Sequence, residues 1–225
     1  MNIAAFIDHT VLKSTATVND VDAVCREAEL YGFAAVCIPP VYVQYAANKL
    51  KETNIKLATV IGFPFGYTYI NAKQEEARQA ISNGADELDM VISLIALKNG
   101  DYAYLENEVA AILEVVKKYN ITLKIIIESG ILTEQEILKC CKIYGAFDID
   151  FLKTSTGYAE KGASIEAVQL MRHHLASHIQ VKASGGIKTF DFAKQLIEAG
   201  ATRLGCSASV AIVKEGESQE LGVKS

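Results

Sequence analysis

Short runs of apolar and β-branched residues alternate with longer segments of helical period along the whole chain. We predict eight strands, at residues 6–10, 34–39, 57–63, 87–92, 123–129, 149–155, 179–184 and 202–207. Apolar residues recur at the spacing of amphipathic helices between them, in segments such as 18–32, 71–84, 104–120, 133–145, 164–176 and 189–200. This alternation is typical of parallel β-α-β units.

Several of the predicted helices carry start and stop signals. Thr133 and Glu136 have the spacing of a capping box, in which each side chain binds the other residue's backbone N–H. Gly84, Gly145 and Gly200 follow the last periodic residues of three segments and predict helix ends there. The element boundaries therefore rest on local chemistry as well as on period.

The number of repeats predicts a (β/α)8 TIM barrel that forms a single domain over residues 1–225, with 214–225 as a polar C-terminal tail. The sequence has neither a Pro- or Ser-rich linker nor a low-complexity stretch. A doubly wound open sheet is the alternative. In a dinucleotide-binding fold of that type a glycine-rich turn follows strand one, whereas this chain continues VLKSTATVND, and this difference favours the barrel.

Composition narrows the classes of partner. A net charge of −5 and a pI near 5.5, without a basic stripe, argue against nucleic acid. The sequence shows neither a leader-like N-terminus nor an apolar run of ~18 residues, so we expect no membrane association and a cytoplasmic protein. The five cysteines lack C-x-x-C spacing, which favours neither a disulfide framework nor a zinc site. We expect no metal and no cofactor.

Two lysines lie on consecutive predicted strands, Lys153 in IDFLKTSTG and Lys182 in IQVKASGG, each just before a glycine-containing turn. Strand alternation allows both to point into the barrel mouth. Two ammonium groups about 4 Å apart repel by about 4 kcal/mol at an effective dielectric of 20, enough to lower one lysine pKa by about three units. We predict that one lysine is a neutral nucleophile and that Asp89, on strand four, is the proton-moving partner of the charged one.

The turns after strands six, seven and eight are rich in small residues: TSTG (154–157), SGG (184–186) and GCSAS (205–209). Backbone N–H groups in such turns can converge on an anion, and this is the usual phosphate site of TIM barrels. The alternative is that the glycines only close tight turns. Three such turns on consecutive strands favour the phosphate site.

Further polar residues lie on the predicted strands. Asp8 is a candidate for binding a substrate hydroxyl, whereas His9 is expected to be a packing or hydrogen-bonding residue. An interior charge network, either structural or catalytic, is expected from the pairs Lys124 with Glu128 and Glu87 with Asp89.

Seven motifs in order closely resemble the 2-deoxyribose-5-phosphate aldolase family, and the resemblance runs from residue 7 to about residue 213. They are IDHTVLK (7–13), TVIGFPFG (59–66), GADELDMVI (84–92), ALKNGDY (96–102), FLKTSTG (151–157), VKASGGI (181–187) and AGATRLGCS (199–207). The resemblance implies a metal-free class I aldolase with a barrel fold. Such an enzyme cleaves 2-deoxy-D-ribose 5-phosphate to D-glyceraldehyde 3-phosphate and acetaldehyde, in deoxyribose phosphate catabolism.

The resemblance also implies roles for individual residues. By position, Lys153 resembles the Schiff-base lysine, Lys182 the lysine that tunes it, and Asp89 the acid/base carboxylate. Substrate binding is implied for Asp8, Lys124, Thr156, Gly157, Gly185, Gly186 and Ser207. The family further suggests a homodimer or a higher homo-oligomer.

The chain departs from many relatives in two places. Their phosphate cradle has two adjacent serines after strand eight, whereas here Ser207 is followed by Ala208 and Ser209. Some relatives end in a tyrosine, whereas the last tyrosine here is Tyr158. Two other readings remain open: another phosphate-binding barrel enzyme, such as a sugar-phosphate isomerase or a different Schiff-base aldolase, and a sugar-phosphate sensor without catalysis.

Overall fold

Eight parallel strands form a closed barrel in sequence order, from β1 to β8 and back to β1, in a computed structural model that describes residues 1–220 and 222. The strands are β1 Ile7–Thr10, β2 Ala35–Ile38, β3 Lys56–Ile61, β4 Glu87–Val91, β5 Thr122–Ile126, β6 Phe151–Lys153, β7 Gln180–Ser184 and β8 Arg203–Cys206. Each strand pairs in parallel with both neighbours. The predicted (β/α)8 barrel is confirmed, and the open sheet is excluded.

Helices connect the strands on the outside of the barrel. They are α1 Val18–Tyr31, α2 Val43–Leu50, α3 Ile70–Ser82, α4 Leu94–Lys98, α5 Tyr102–Val116, α6 Glu134–Tyr144, α7 Ile165–His174, α8 Phe190–Glu198 and α9 Ser209–Glu220. The capping box of Thr133 and Glu136 is present at the start of α6. Within the described part of the chain, no helix combines the length and apolar character needed to cross a bilayer.

The last described helical part of the chain is the second half of α9. The polar tail expected at 214–225 is helical through residue 220, as the second half of α9, and residues 221 and 223–225 lie outside the described part. Contacts with the start of α8 hold this half: the Glu215 carboxylate accepts a hydrogen bond from the Phe190 N–H at 2.8 Å, Gly216 lies against the Phe190 ring, and the Gln219 amide donates to Asp191 at 3.3 Å. Its polar sequence reflects the solvent-facing side of a helix that packs through a few small or apolar positions.

The barrel interior is divided between apolar and charged halves. Cys37, Ala58 and Val60, on β2 and β3, form a small buried apolar cluster. The interior of β4 to β8 and of β1 carries charged side chains instead, and these are described with the site. The main apolar core lies between the barrel and its surrounding helices.

A separate ion pair is buried between the helices and the end of β4. Lys73 and Glu108 have fully buried side chains and lie 2.6 Å apart. Lys73 also donates to the Val91 carbonyl at 2.7 Å, and Glu108 accepts from the Ser93 N–H at 3.1 Å. The pair thus binds the backbone that follows β4, the strand that carries Asp89.

Replacing Lys73 by methionine is expected to lower the free energy of unfolding by about 3–5 kcal/mol, because Glu108 would remain buried without its cation. Urea unfolding followed by circular dichroism measures the loss. Lys98→Met is the matched control, since Lys98 pairs with Glu136 at a largely exposed site, where a loss of at most about 1 kcal/mol is expected. Equal losses in the two variants would contradict the assignment of a structural role to the buried pair.

Candidate active site

The two lysines singled out in the sequence lie side by side on neighbouring strands, Lys153 at the end of β6 and Lys182 in the middle of β7. Lys153 on β6 and Lys182 on β7 are paired in register, and both donate to the same oxygen, Oδ2 of Asp89, at 2.7 Å. Lys182 and Asp89 are fully buried, and Lys153 is 3% exposed. The structure therefore brings together the three residues predicted to be catalytic, around one carboxylate oxygen.

A closed ring of alternating charges surrounds this contact, and we call it the charge ring. Its three carboxylates and three cations, in order around the ring, are Lys182, Asp8, Arg203, Glu87, Lys124 and Asp89. Each member contacts the next, so each carboxylate bridges two cations. Lys153 lies outside the ring and joins it only through Asp89.

Arg203 is a member that the sequence reading missed. Its Nε lies 2.6 Å from Asp8 Oδ1 and its Nη2 lies 2.9 Å from Glu87 Oε2, so one guanidinium bridges β1 and β4. The sequence does place Arg203 in a short predicted strand, next to the strand that carries Lys182, and this position could have identified it. The small Gly205 lies two residues further on, and a Cβ there would lie 3.3 Å from Lys182 Cε.

Burial and neighbouring charges shift the pKa values of the two lysines in opposite directions. Burial is the largest influence on Lys153 and lowers its pKa; the attraction of Asp89 opposes this, and repulsion from Lys182 adds to the lowering. The net pKa of Lys153 is below its ordinary value. Desolvation thus contributes more to the lowered pKa of Lys153 than the repulsion from Lys182.

Lys182 shifts the other way. Burial lowers its pKa, but Asp8 and Asp89 together raise it above the ordinary value, so Lys182 stays protonated. Burial alone would raise the pKa of Asp89. The attraction of three neighbouring cations, Lys124, Lys153 and Lys182, outweighs burial and holds this pKa well below its usual range. The site therefore combines a lysine of lowered pKa (Lys153), a protonated lysine (Lys182) and an ionised carboxylate (Asp89).

A cavity of about 450 Å³ opens above Lys153 at the carboxyl ends of the strands. Its walls include Gly157, Gly185, Gly186 and Ser207, the residues predicted to bind phosphate. Lys13 and the exposed Lys188 also line the cavity. The sequence reading assigned neither lysine to the site, although Lys188 follows the GGI segment directly.

Backbone geometry explains why glycines occupy the turn after β7. Gly185 and Gly186 have φ values of 87° and 77°, in the left-handed region that favours glycine. The segment that includes Gly162 packs on this turn, and the Ala163 N–H donates to the carbonyls of Ser184 and Gly185 at 3.0 and 3.1 Å. A Cβ at Gly162 would lie 2.2 Å from the Gly185 carbonyl oxygen. Neighbouring backbone therefore holds the turn in place at the cavity wall.

Two of the predicted substrate-binding residues lie deeper than expected. Lys124 is paired with Phe151, two residues before Lys153 on β6, and Asp8 is paired with Gly205. Both side chains are fully buried in the charge ring, and neither lines the cavity. Both side chains therefore lie among the buried charges and not at the cavity wall.

Glu128 does not join the network expected for Lys124. It has φ 56°, and this left-handed residue ends the strand alternation after β5. Its carboxylate accepts hydrogen bonds from the hydroxyl and the backbone N–H of Thr156. Thr156 lines the cavity, with its N–H and hydroxyl directed to Glu128.

His9 and Ser209 are bound to each other away from the cavity. His9 Nδ1 lies 2.9 Å from the Ser209 hydroxyl, which also donates to the Cys206 carbonyl at 2.9 Å, and His9 Nε2 lies 2.6 Å from Glu27. The prediction that His9 is a hydrogen-bonding residue is confirmed. Ser209 therefore does not replace the serine hydroxyl that Ala208 lacks.

Comparison with known proteins identifies relatives over nearly the whole chain. The model of the DeoC/LacD family aldolases matches residues 2–215. The deoxyribose-phosphate aldolase of Caldanaerobacter subterraneus subsp. tengcongensis is 46% identical over 223 residues, which are 99% of this chain and 96% of that protein. The Staphylococcus epidermidis RP62A enzyme of the same name is 44% identical over 97% of this chain and 98% of its own.

A solved structure from the same group of enzymes has a similar fold. The deoxyribose phosphate aldolase from Aeropyrum pernix, described as having a unique tetrameric structure, superposes with a TM-score of 0.89 at 31% identity. The match covers 96% of this chain and 92% of that one.

Proposed function

Because this chain belongs to the DeoC/LacD family of aldolases, we propose that it cleaves 2-deoxy-D-ribose 5-phosphate reversibly to D-glyceraldehyde 3-phosphate and acetaldehyde through a Schiff base on Lys153. The observation that carries the mechanism is the shared Asp89 oxygen, 2.7 Å from both lysine nitrogens. The names of the relatives support the substrate. The catabolism of deoxyribose phosphates would use this reaction.

The first half of the reaction requires a neutral amine. Lys153 has a lowered pKa, and of the three lysines that contact Asp89 it is the one that lines the cavity. Its nitrogen adds to the aldehyde carbon of the open-chain sugar, and loss of water gives a protonated imine. Asp89 connects this nitrogen to the Lys182 ammonium, so the pair can supply and receive the protons of the addition and dehydration steps.

The second half breaks the carbon–carbon bond. Removal of the proton from the C3 hydroxyl forms the aldehyde of glyceraldehyde 3-phosphate, and the electrons of the C2–C3 bond move into the iminium to give an enamine. Protonation of the enamine at C2 and hydrolysis release acetaldehyde and restore the Lys153 amine. We assign these proton transfers to Asp89 and Lys182, acting with water from the cavity.

The cavity walls supply the phosphate end of the site. The turns of Gly157 and of Gly185 and Gly186 lie beside Ser207, and Lys188 adds a cation at the mouth. Small residues let the backbone approach an anion closely, and a charged amine strengthens its binding. Because acetaldehyde offers few contacts, the phosphate provides much of the binding energy of the sugar.

Reductive trapping tests the proposal directly. The full-length protein is treated with acetaldehyde and cyanoborohydride, which reduces an imine to a stable N-ethyl amine, and peptides are mapped by mass spectrometry. We expect one ethyl group, on Lys153, formed much faster than on exposed lysines such as Lys194. Release of glyceraldehyde 3-phosphate from deoxyribose 5-phosphate is measured in parallel.

Other outcomes of the same experiment would support one of the alternative functions. Modification of surface lysines alone would refute the Schiff base on Lys153. Phosphate binding without release of glyceraldehyde 3-phosphate would indicate a sensor. An adduct on Lys153 without cleavage of deoxyribose 5-phosphate would indicate a Schiff-base aldolase with another substrate.

We further infer that the chain forms a homo-oligomer. The tetrameric assembly described for the Aeropyrum pernix relative supports this. Exposed aromatic residues at the mouth of the barrel, including the stacked Phe65 and Tyr67, are consistent with a surface that another copy covers.

A further inference from the structure

The positive and negative charges of the charge ring are equal in number without Lys153. Its carboxylates (Asp8, Glu87 and Asp89) and its cations (Lys124, Lys182 and Arg203) are equal in number and sum to zero. A proton on Lys153 therefore gives the buried cluster one unpaired positive charge. Since a net charge is costly to bury, the balanced ring opposes that proton.

We propose that Arg203 and Glu87 are positioning residues that set the protonation of Lys153 by fixing the net charge of the ring. Neither residue contacts Lys153; each acts through ring members, Arg203 through Asp8 and Glu87 through Lys124. The proposal deepens the Schiff-base function proposed above and rests on it.

The two residues make the inference testable because they carry opposite charges and contact each other at 2.9 Å. Removing the charge of Arg203 leaves the ring at minus one, and a proton on Lys153 then restores balance. Removing the charge of Glu87 leaves the ring at plus one, and a proton on Lys153 then costs more. Opposite effects from adjacent residues distinguish control by charge from a general loss of packing, which would act in one direction.

The other titratable groups that face Lys153 do not change between the variants that are compared. The Cys37 thiol on β2 has a pKa raised to about 11, chiefly by burial, so it stays neutral at ordinary pH. Glu128, beyond β5, is bound by Thr156 and is the same in every variant. Two charged groups on the remaining strands face Lys153: Asp89 on β4 and Lys182 on β7. The next charged groups, which contact Asp89, Lys182 or each other, are Lys124 on β5, Asp8 on β1 and Arg203 on β8.

The experiment measures the pH at which Lys153 loses its proton in full-length wild type, Arg203→Met, Glu87→Gln and the double variant. The acid limb of kcat/KM for deoxyribose 5-phosphate reports this pKa in the free enzyme. The initial rate of acetaldehyde trapping on Lys153 reports it independently of turnover. Because only the neutral amine reacts, raising the pKa moves the loss of activity to higher pH.

We expect the inflection of Arg203→Met to move up and that of Glu87→Gln to move down, each by about one pH unit, so that trapping below the inflection changes roughly tenfold. The double variant restores the balance and should return the inflection toward wild type. Arg203→Lys keeps the charge with different geometry, so it should keep the inflection even where the rate falls.

Shifts of both single variants in the same direction, or an unchanged inflection in variants with native circular dichroism, would overturn the inference. If Arg203→Met does not fold, Glu87→Gln and the double variant still decide the sign. Failure of the proposed function is distinguishable, because it would appear as absence of the Lys153 adduct in wild type.

Discussion

Replacing Lys153 by methionine is expected to lower the rate of deoxyribose 5-phosphate cleavage by at least ~10⁴-fold, because the amine that forms the covalent intermediate is lost. The electron sink for breaking the C2–C3 bond is the iminium, and no other lysine lines the floor of the cavity at the position of Lys153 within the described structure. Release of glyceraldehyde 3-phosphate measures the loss. Trapping with acetaldehyde should no longer label the barrel interior.

The same variant should remain folded. Lys153 lies outside the balanced charge ring, so its removal leaves each ring cation with a carboxylate partner. Lys194→Met is the matched control, since Lys194 is half exposed on α8 and should leave the rate unchanged. Activity of Lys153→Met within tenfold of wild type, with native circular dichroism, would contradict the assignment.

Replacing Lys182 by leucine is expected to move the acid limb of kcat/KM to higher pH by about one to three units, because the ring then carries a net negative charge and Lys153 takes up a proton. The largest cause of the lowered Lys153 pKa is burial, which the leucine retains, so the shift should stay below the full pair repulsion. At neutral pH, turnover should fall by roughly 10- to 1,000-fold, since the neutral amine becomes scarce.

The shift has a defined direction. A raised Lys153 pKa means that the reactive amine disappears at a higher pH as the solution is acidified. The variant should therefore regain part of its activity in alkaline buffer, while the contribution of Lys182 to proton transfer stays lost. Lys182→Arg keeps the positive charge beside Asp8 and Asp89 and is the conservative control. An acid limb of Lys182→Leu that coincides with wild type would show that Lys182 does not tune Lys153.

Much of the fold could be predicted from sequence because its determinants are local. The eight predicted strands overlap the eight observed ones with boundaries displaced by a few residues, since each strand is a short β-branched run between helices of clear period. The largest differences are at β5 and β6. After β5 the chain turns at Glu128, whose left-handed backbone is not evident from the strand pattern. After β6 the Thr156 backbone binds the Glu128 carboxylate instead of a neighbouring strand.

The placement of Lys153 and Lys182 on neighbouring strands was predictable for the same local reason, and the structure brings both to Asp89. Only Lys153 ends its strand, since β7 continues to Ser184 beyond Lys182. Arg203 was not predictable in this way. Its role depends on Asp8 and Glu87, which are 195 and 116 residues away in the chain. The barrel closes β8 against β1, and only that closure brings the guanidinium to both carboxylates.

The strand order, the barrel, the lysine pair and the glycine turns follow from the sequence, because periodicity and turn chemistry act between residues close in the chain. Which residues share a level of the barrel depends on how the strands pair once the barrel has closed. Lys153 and the glycines line the cavity, whereas Asp8, Lys124 and Arg203 lie below it in the charge ring. The physical reason is that charge balance in a buried site depends on every group within a few ångströms, and strand register across the closed barrel sets those distances.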